Sequence, residues 1–292
     1  MRRDTNAVTG HIESANMQLT EPTPQPPGIV IVNGGTQGLG EAIARKLVAD
    51  GARGLVLGGR SSDRGQALAD ELDSLGTPSL FVEADMADAE APEALVEACT
   101  HRFGRVDGLA NVAALTTRAT LFADTPEHFE RMMRLNLQAP YFLIRAVARR
   151  MIADGTAGSI VNVGSTSGHG GQSKLGAYSI SKGGLAVMTR NLAFGLMRHG
   201  IRVNQVNPGW METESEHRIQ REEDGMPENW LELAAPARPL GRLVQPWEVA
   251  NAIAYCLSPS SGLMTGNTID IDQSVQGAGN PPLPGTDDTI RP

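Results

Sequence analysis

Cysteine is scarce, with two in 292 residues, Cys99 and Cys256. They stand far apart without metal-type neighbours. A disulfide framework is therefore not expected, and neither is a metal site; a reducing cytoplasm is the expected compartment. No apolar run approaches the ~18–20 residues of a membrane span. Positive charge is not in excess either: 25 Lys and Arg against 33 Asp and Glu give a net charge of −8. Nucleic acid and anionic membrane surfaces, which call for a basic patch, are not expected partners. The N-terminal stretch has two arginines but no apolar core, so it does not read as a secretory signal. Asp4, Glu13 and Glu21 speak against a transit peptide. Aromatic residues make up 4% of the chain and give no guide to a ligand.

What is present is a 40% hydrophobic, 20% charged chain suited to a sizeable core. Residues 1–27 are polar and end in "EPTPQPP", and 277–292 are rich in Pro, Gly and Asp. Both read as flexible tails. Between them, short apolar runs alternate with helical spacing. Strands are expected at 28–34, 54–59, 79–85, 107–113, 158–164, 201–207 and 266–272. Helices are expected at 40–51, 63–76, 91–104, about 125–152 and about 176–198. Strands alternating with helices predict βαβ units with right-handed crossovers. The fold class is α/β: a doubly wound parallel seven-stranded sheet with helices on both faces, one domain over 28–276.

"NGGTQGLGEAIA" lies where the first strand turns into the first helix. Gly34, Gly38 and Gly40 let the backbone approach a pyrophosphate, with Thr36, Gln37 and Leu39 in the same loop. The helix N-terminus beyond offers free N–H groups. This context predicts dinucleotide binding. About 20 residues on, the position that carries an acid in NAD sites is Gly59 or its neighbour, and Arg60 follows. An arginine there suits the 2′-phosphate, so NADP(H) is the expected preference, with NAD(H) possible.

"YSISK" sets Tyr178 and Lys182 four residues apart at a helix start. They share a face. An ammonium near a phenol favours the phenolate, so the pair is an acid–base candidate with a lowered tyrosine pKa.

Together these residues resemble the short-chain dehydrogenase/reductase family, with the likeness running from about 28 to 276. The glycine motif matches at Gly34, Gly38 and Gly40, and Y-x-x-x-K at Tyr178 and Lys182. The catalytic serine falls thirteen residues before the tyrosine, on Ser165. The helix asparagine matches Asn136, and the acid near the adenine matches Asp85, with Met86 beside it. Asn111 matches the first asparagine after the fourth strand. Pro208–Gly209 match the turn after the sixth strand, followed by Met211 and by Thr213 for the carboxamide. The resemblance implies a Rossmann-type fold and NAD(P)-dependent interconversion of a secondary alcohol and a ketone. Tyr178 would exchange the proton, Lys182 would lower its pKa and bind the ribose, Ser165 would orient the substrate oxygen, and Asn136 would hold a relay water. It also implies a homotetramer (or homodimer) built on the two long helices. Two departures stand out. "NVAA" (111–114) replaces "NNAG", and Gln273 and Ser274 replace two glycines.

Specificity is expected from loop 115–122, loop 166–175 and a charged lid at about 210–240. His169, Gln172 and Trp210 are the substrate candidates, and Arg118 is a candidate for a carboxylate. The substrate expected is a small-molecule alcohol or carbonyl compound: a polyol, sugar or hydroxy acid. Two other readings stand beside it. A sugar-nucleotide epimerase or dehydratase would need a larger C-terminal domain. A cofactor-binding scaffold without turnover would be expected to have lost the tyrosine or the lysine.

Overall fold

The computed structural model describes residues 27–277. The tails assigned to 1–27 and 277–292 therefore lie outside the described residues apart from their inner ends.

Seven strands, β1 (Ile29–Asn33), β2 (Gly54–Gly59), β3 (Ser79–Glu83), β4 (Gly108–Asn111), β5 (Ser159–Val163), β6 (Arg202–Pro208) and β7 (Thr268–Ile271), form one sheet. Their order is β3-β2-β1-β4-β5-β6-β7, and every pairing is parallel. All five residues of β1 are buried, as a run of Ile and Val covered on both faces requires. The expected strands are all present: β2 matches its expected range, β6 is shifted by one residue, and the others are shortened by one or two residues at one or both ends.

Helices α1 (Gly38–Ala49), α2 (Ser62–Ser74) and α9 (Pro246–Leu257) close one face around Ile43, Leu47, Leu72 and Ile253. Helices α3 (Ala91–Phe103), α5 (Ala139–Ala153) and α6 (Gly176–Leu196) close the other around Leu95, Leu143, Val147 and Met151. Each such side chain contributes about 1.5–3 kcal/mol by leaving water. The order reverses between β1 and β4, so the crevice at their carboxyl ends is the place for a ligand.

Three features depart from the expected pattern. The helix expected over 125–152 begins as α4 (Pro126–Met133), widens into a π turn at Arg134–Gln138, and resumes as α5. Pro140 has no N–H for the carbonyl of Asn136 four residues earlier, so the α-helical ladder fails there. Helix α9 was not expected. It supplies the crossover between parallel β6 and β7, and the Glu248 carboxylate caps it by accepting the Gln245 N–H at 2.8 Å. The segment expected as a lid is built of α7 (Glu214–Glu222) and α8 (Trp230–Ala234), anchored by the fully buried Trp230.

Candidate active site

The turn from β1 to α1 forms a cradle. Gly38 has a φ of +54°, and its missing Cβ would face the Thr213 side chain at 3.8 Å across the cleft. A Cβ on Gly40 would lie 1.9 Å from the Gly34 carbonyl oxygen, so only glycine lets the helix start this close to the turn. Gln37 precedes α1 without capping it through its side chain. The first helix amides are thus left for a ligand, and negative charge is favoured there. The Leu39 side chain is buried in the core, so its contribution to the cradle is its backbone. These features fit the pyrophosphate of a nicotinamide dinucleotide.

At the adenosine end, a Cβ on Gly59 would come within 2.7 Å of Thr36 Cγ2. An acid at that position is crowded by the loop. Arg60 is exposed beside it. Arg64 donates to Gln37 Oε1 at 3.0 Å and to Glu214 of α7 at 3.1 Å, and Gln37 reaches Ser215 Oγ at 3.2 Å. The start of α7 therefore closes over the glycine loop, a contact that the sequence reading did not include. Asp85 caps its own turn by accepting the Ala87 N–H at 2.9 Å. Met86 is buried in the core, so only its backbone is left for a nucleotide. Asn111 donates to Asn162 Oδ1 at 3.0 Å, while its own Oδ1 is buried without a partner.

The substitutions in "NVAA" leave the strand pairing intact. Asn111 stays in register with Asn33, Val112 packs against the core, and the Ala114 methyl is exposed rather than crowded. Gln273 does different work from the glycine it replaces. It accepts the Leu240 N–H at 2.8 Å and donates to the Arg242 carbonyl at 2.6 Å, tying the lid's far end to β7. No non-glycine residue among those described has a positive φ, so the turn forms without the glycines.

Beyond β5, Ser165 caps a 3₁₀ turn (Thr166–His169) by accepting the Ser167 N–H at 3.1 Å. The first turn of α6 sets Tyr178 against it. Burial holds the Tyr178 phenol above its ordinary pKa; a hydrogen bond with Ser165 pulls down, and the Glu216 charge pushes up. The expected lowering by Lys182 is not what the structure has. Lys182 Nζ lies beside the phenol ring, 5.7 Å from its centroid. It donates to the Val163 carbonyl at 2.8 Å instead. Burial without a carboxylate partner lowers the Lys182 pKa to about 8. Asn136 is buried at the π turn; it accepts the Leu115 N–H at 2.8 Å and donates to the Leu115 carbonyl at 2.9 Å and Ser181 Oγ at 3.2 Å. Its side chain is thus committed to the loop after β4.

The substrate candidates are placed less directly. His169 Nε2 sits 3.0 Å from Asp270 of β7, and Gln172 accepts the Ser167 hydroxyl at 2.6 Å. Both are engaged within the protein. Trp210 stacks on Trp230 at 5.8 Å between ring centroids and donates to Glu216 at 2.8 Å. Pro208 ends β6, Met211 bridges to Val244, and Thr213 caps α7 by accepting the Glu216 N–H at 3.1 Å. The sequence reading missed Glu216, which faces Tyr178 electrostatically; six Glu and Asp lie in 212–224, and nothing in their order singles it out.

A family profile described as enoyl-(acyl carrier protein) reductase matches residues 34–275. With the parallel sheet, the glycine cradle and the Ser165–Tyr178–Lys182 cluster, this shows that the chain belongs to the short-chain dehydrogenase/reductase family. Within that family it is an NAD(P)-dependent alcohol dehydrogenase or carbonyl reductase. It is 35% identical to L-rhamnose 1-dehydrogenase (NAD(P)(+)) of Azotobacter vinelandii, over 83% of this chain and 94% of the relative. It is 31% identical to the NADP-dependent (R)-specific alcohol dehydrogenase of Lentilactobacillus kefiri, over 84% and 94%. A variant of actinorhodin polyketide ketoreductase solved with NADPH superimposes with a TM-score of 0.79 at 29% identity, covering 86% of this chain and 98% of that one.

Proposed function

We propose that the protein oxidises a secondary alcohol, or reduces the matching ketone, at Tyr178 within one catalytic domain (28–276) covered by the 210–240 lid. The observation that carries this is the Tyr178–Ser165–Lys182 cluster at the carboxyl end of β5, beside the glycine cradle. The nicotinamide, when bound, supplies or accepts the hydride. Ser165 holds the substrate oxygen against Tyr178. In oxidation the Tyr178 phenolate takes the hydroxyl proton as the C–H bond breaks; in reduction the phenol returns it to the new alkoxide. Lys182 binds the ribose hydroxyls and, once turned from Val163 toward the phenol, favours the phenolate. Asn136 lies at the π turn whose freed backbone suits a relay water. Gly34, Thr36, Gln37, Gly38, Leu39 and Gly40 hold the pyrophosphate; Asp85, Met86 and Asn111 meet the adenosine; Pro208, Gly209, Met211 and Thr213 border the nicotinamide.

NADP(H) is the preferred cofactor in this reading. Gly59, crowded by Thr36, leaves no room for an acid, and Arg60 stands free for a 2′-phosphate. A polyol or sugar fits the similarity to the rhamnose enzyme. Two buried free thiols support a cytoplasmic setting. The assembly is a homotetramer, or a homodimer, joined through α5 and α6, where Tyr141, Ile152, Val187, Phe194 and Met197 are exposed.

The test is a panel of alcohols, polyols and ketones followed through the nicotinamide absorbance with both cofactors. Tyr178→Phe should lose at least about 10²-fold in kcat, as removal of a general acid–base does, while NADPH still binds. Full activity in this variant would overturn the mechanism.

A further inference from the structure

Loop 115–122 brings Arg118 beneath the lid, where its side chain is 22% exposed. Its guanidinium donates through Nη2 to Glu216 Oε1 at 3.0 Å and through Nη1 to Asp224. Lys174 Nζ lies 3.4 Å from the other Asp224 oxygen. Two cations thus face two carboxylates, and Arg118 has no charge to spare for an anionic substrate. The expectation that Arg118 meets a substrate carboxylate gives way to a role in fixing the lid.

Glu216 is the unusual member of this cluster. Its Oε1 accepts three donors: Arg118 Nη2, Trp210 Nε1 at 2.8 Å and Gln220 Nε2 at 2.7 Å. Bonds of this number fix its orientation. Its Oε2 takes no donor among the described residues. The side chain is 15% exposed, and its charge acts on Tyr178. A carboxylate oxygen held in place under the lid without a donor of its own can accept one from a substrate hydroxyl. It repels an anion and is left unpaired by an alkyl chain.

We propose that Glu216 is the specificity-determining residue of the lid: Oε2 accepts a hydrogen bond from a substrate hydroxyl neighbouring the reacting carbon. The substrate class is then neutral and polyhydroxylated, an alditol or a sugar, and hydroxy acids are selected against. This inference rests on the alcohol–ketone chemistry proposed for Tyr178.

Kinetics of the intact protein with NADP⁺ on a six-carbon alditol, 2-octanol and 3-hydroxybutyrate test it. Wild type should favour the alditol over 3-hydroxybutyrate in kcat/KM. Glu216→Gln should lose at least about tenfold more on the alditol than on 2-octanol, the size of one hydrogen bond to a charged group, and the loss should fall mainly in KM. Glu216→Asp keeps the charge and withdraws the oxygen by one carbon. It should reproduce the selective loss with NADPH binding intact, which covers misfolding of the first variant. Equal losses on alditol and 2-octanol, or a wild type that prefers 3-hydroxybutyrate, overturn the inference while leaving the redox reading standing. Wild type inactive on all three overturns that reading and the inference with it.

Discussion

In the proposed mechanism, Lys182 is a residue whose role is set against stability. Its ammonium is 3% exposed and has a carbonyl, not a carboxylate, for a partner. Folding therefore lowers its pKa from 10.5 to about 8. The sign follows from linkage. Below pH 8 the charge is present in both states and the folded state carries the full desolvation cost; between about 8 and 10.5 the folded state is neutral first and the cost fades. Lys182→Met should accordingly raise stability at pH 7 by roughly 1–3 kcal/mol, allowing for the lost hydrogen bond. It should also abolish turnover. Urea denaturation of wild type and variant without cofactor, at pH 7 and pH 10.5, checks this. The gap should narrow at the higher pH, and a variant less stable at pH 7 would refute the assignment. That Tyr178, Lys182 and Ser165 come together was readable from spacing, because helical and strand-end geometry are fixed by chain position. The direction of the Tyr178 shift was not. It depends on burial and on Glu216, 38 residues away in the chain.

At the scale of elements, legibility followed how local the cause is. Strands β1 and β2 announce themselves by their Val, Ile and Leu runs, and the glycine turn by its spacing. The π turn at Arg134–Gln138 was hidden, since one widened turn barely disturbs an apolar periodicity; Pro140 was its only local signal. Helix α9 was also signalled locally, by Pro246 and Glu248 opening "QPWEVANAIAYCL", and by the crossover that two parallel strands demand. The β2–α2 junction carries a prediction of its own. Arg60 is exposed without an ion-pair partner among the described residues, whereas Arg64 is drawn toward Gln37 and Glu214. Only Arg60 can meet a 2′-phosphate without breaking an existing contact. Arg60→Asp should weaken NADP⁺ by about tenfold or more through lost and reversed charge, with a smaller effect on NAD⁺. The ratio of kcat/KM for the two cofactors measures it, and an unchanged ratio would remove Arg60 from the phosphate site. Arg64→Ala should instead weaken both cofactors alike, since it ties the lid to the glycine loop.

On the scale of the whole molecule, the apolar surface is unevenly spread. Helices α5 and α6 lie side by side on one face, and between them runs a groove of about 360 Å³ lined by Tyr141, Ile144, Ala148, Ile152, Leu192 and Leu196 together with Arg145 and Arg149. Phe194 stands out of the same helix at 84% exposure and Val187 at 52%. Helix α6 bears Tyr178 and Lys182 at one end and this apolar surface at the other. In the proposed assembly, a two-fold contact through it would bring the same surface of a second copy into register and bury the Phe194 of both copies. Phe194→Glu places a charge at that contact. Because the side chain packs on nothing within its own chain, the variant should fold with an unchanged melting profile at the level of the protomer. Its mass in solution, by size exclusion with light scattering, should fall from a multiple of the chain to a smaller assembly. Activity should fall with it in proportion to dissociation and recover with protein concentration, because the α6 that carries Tyr178 loses its external support when the contact opens. A mass identical to wild type would place the assembly interface on another face.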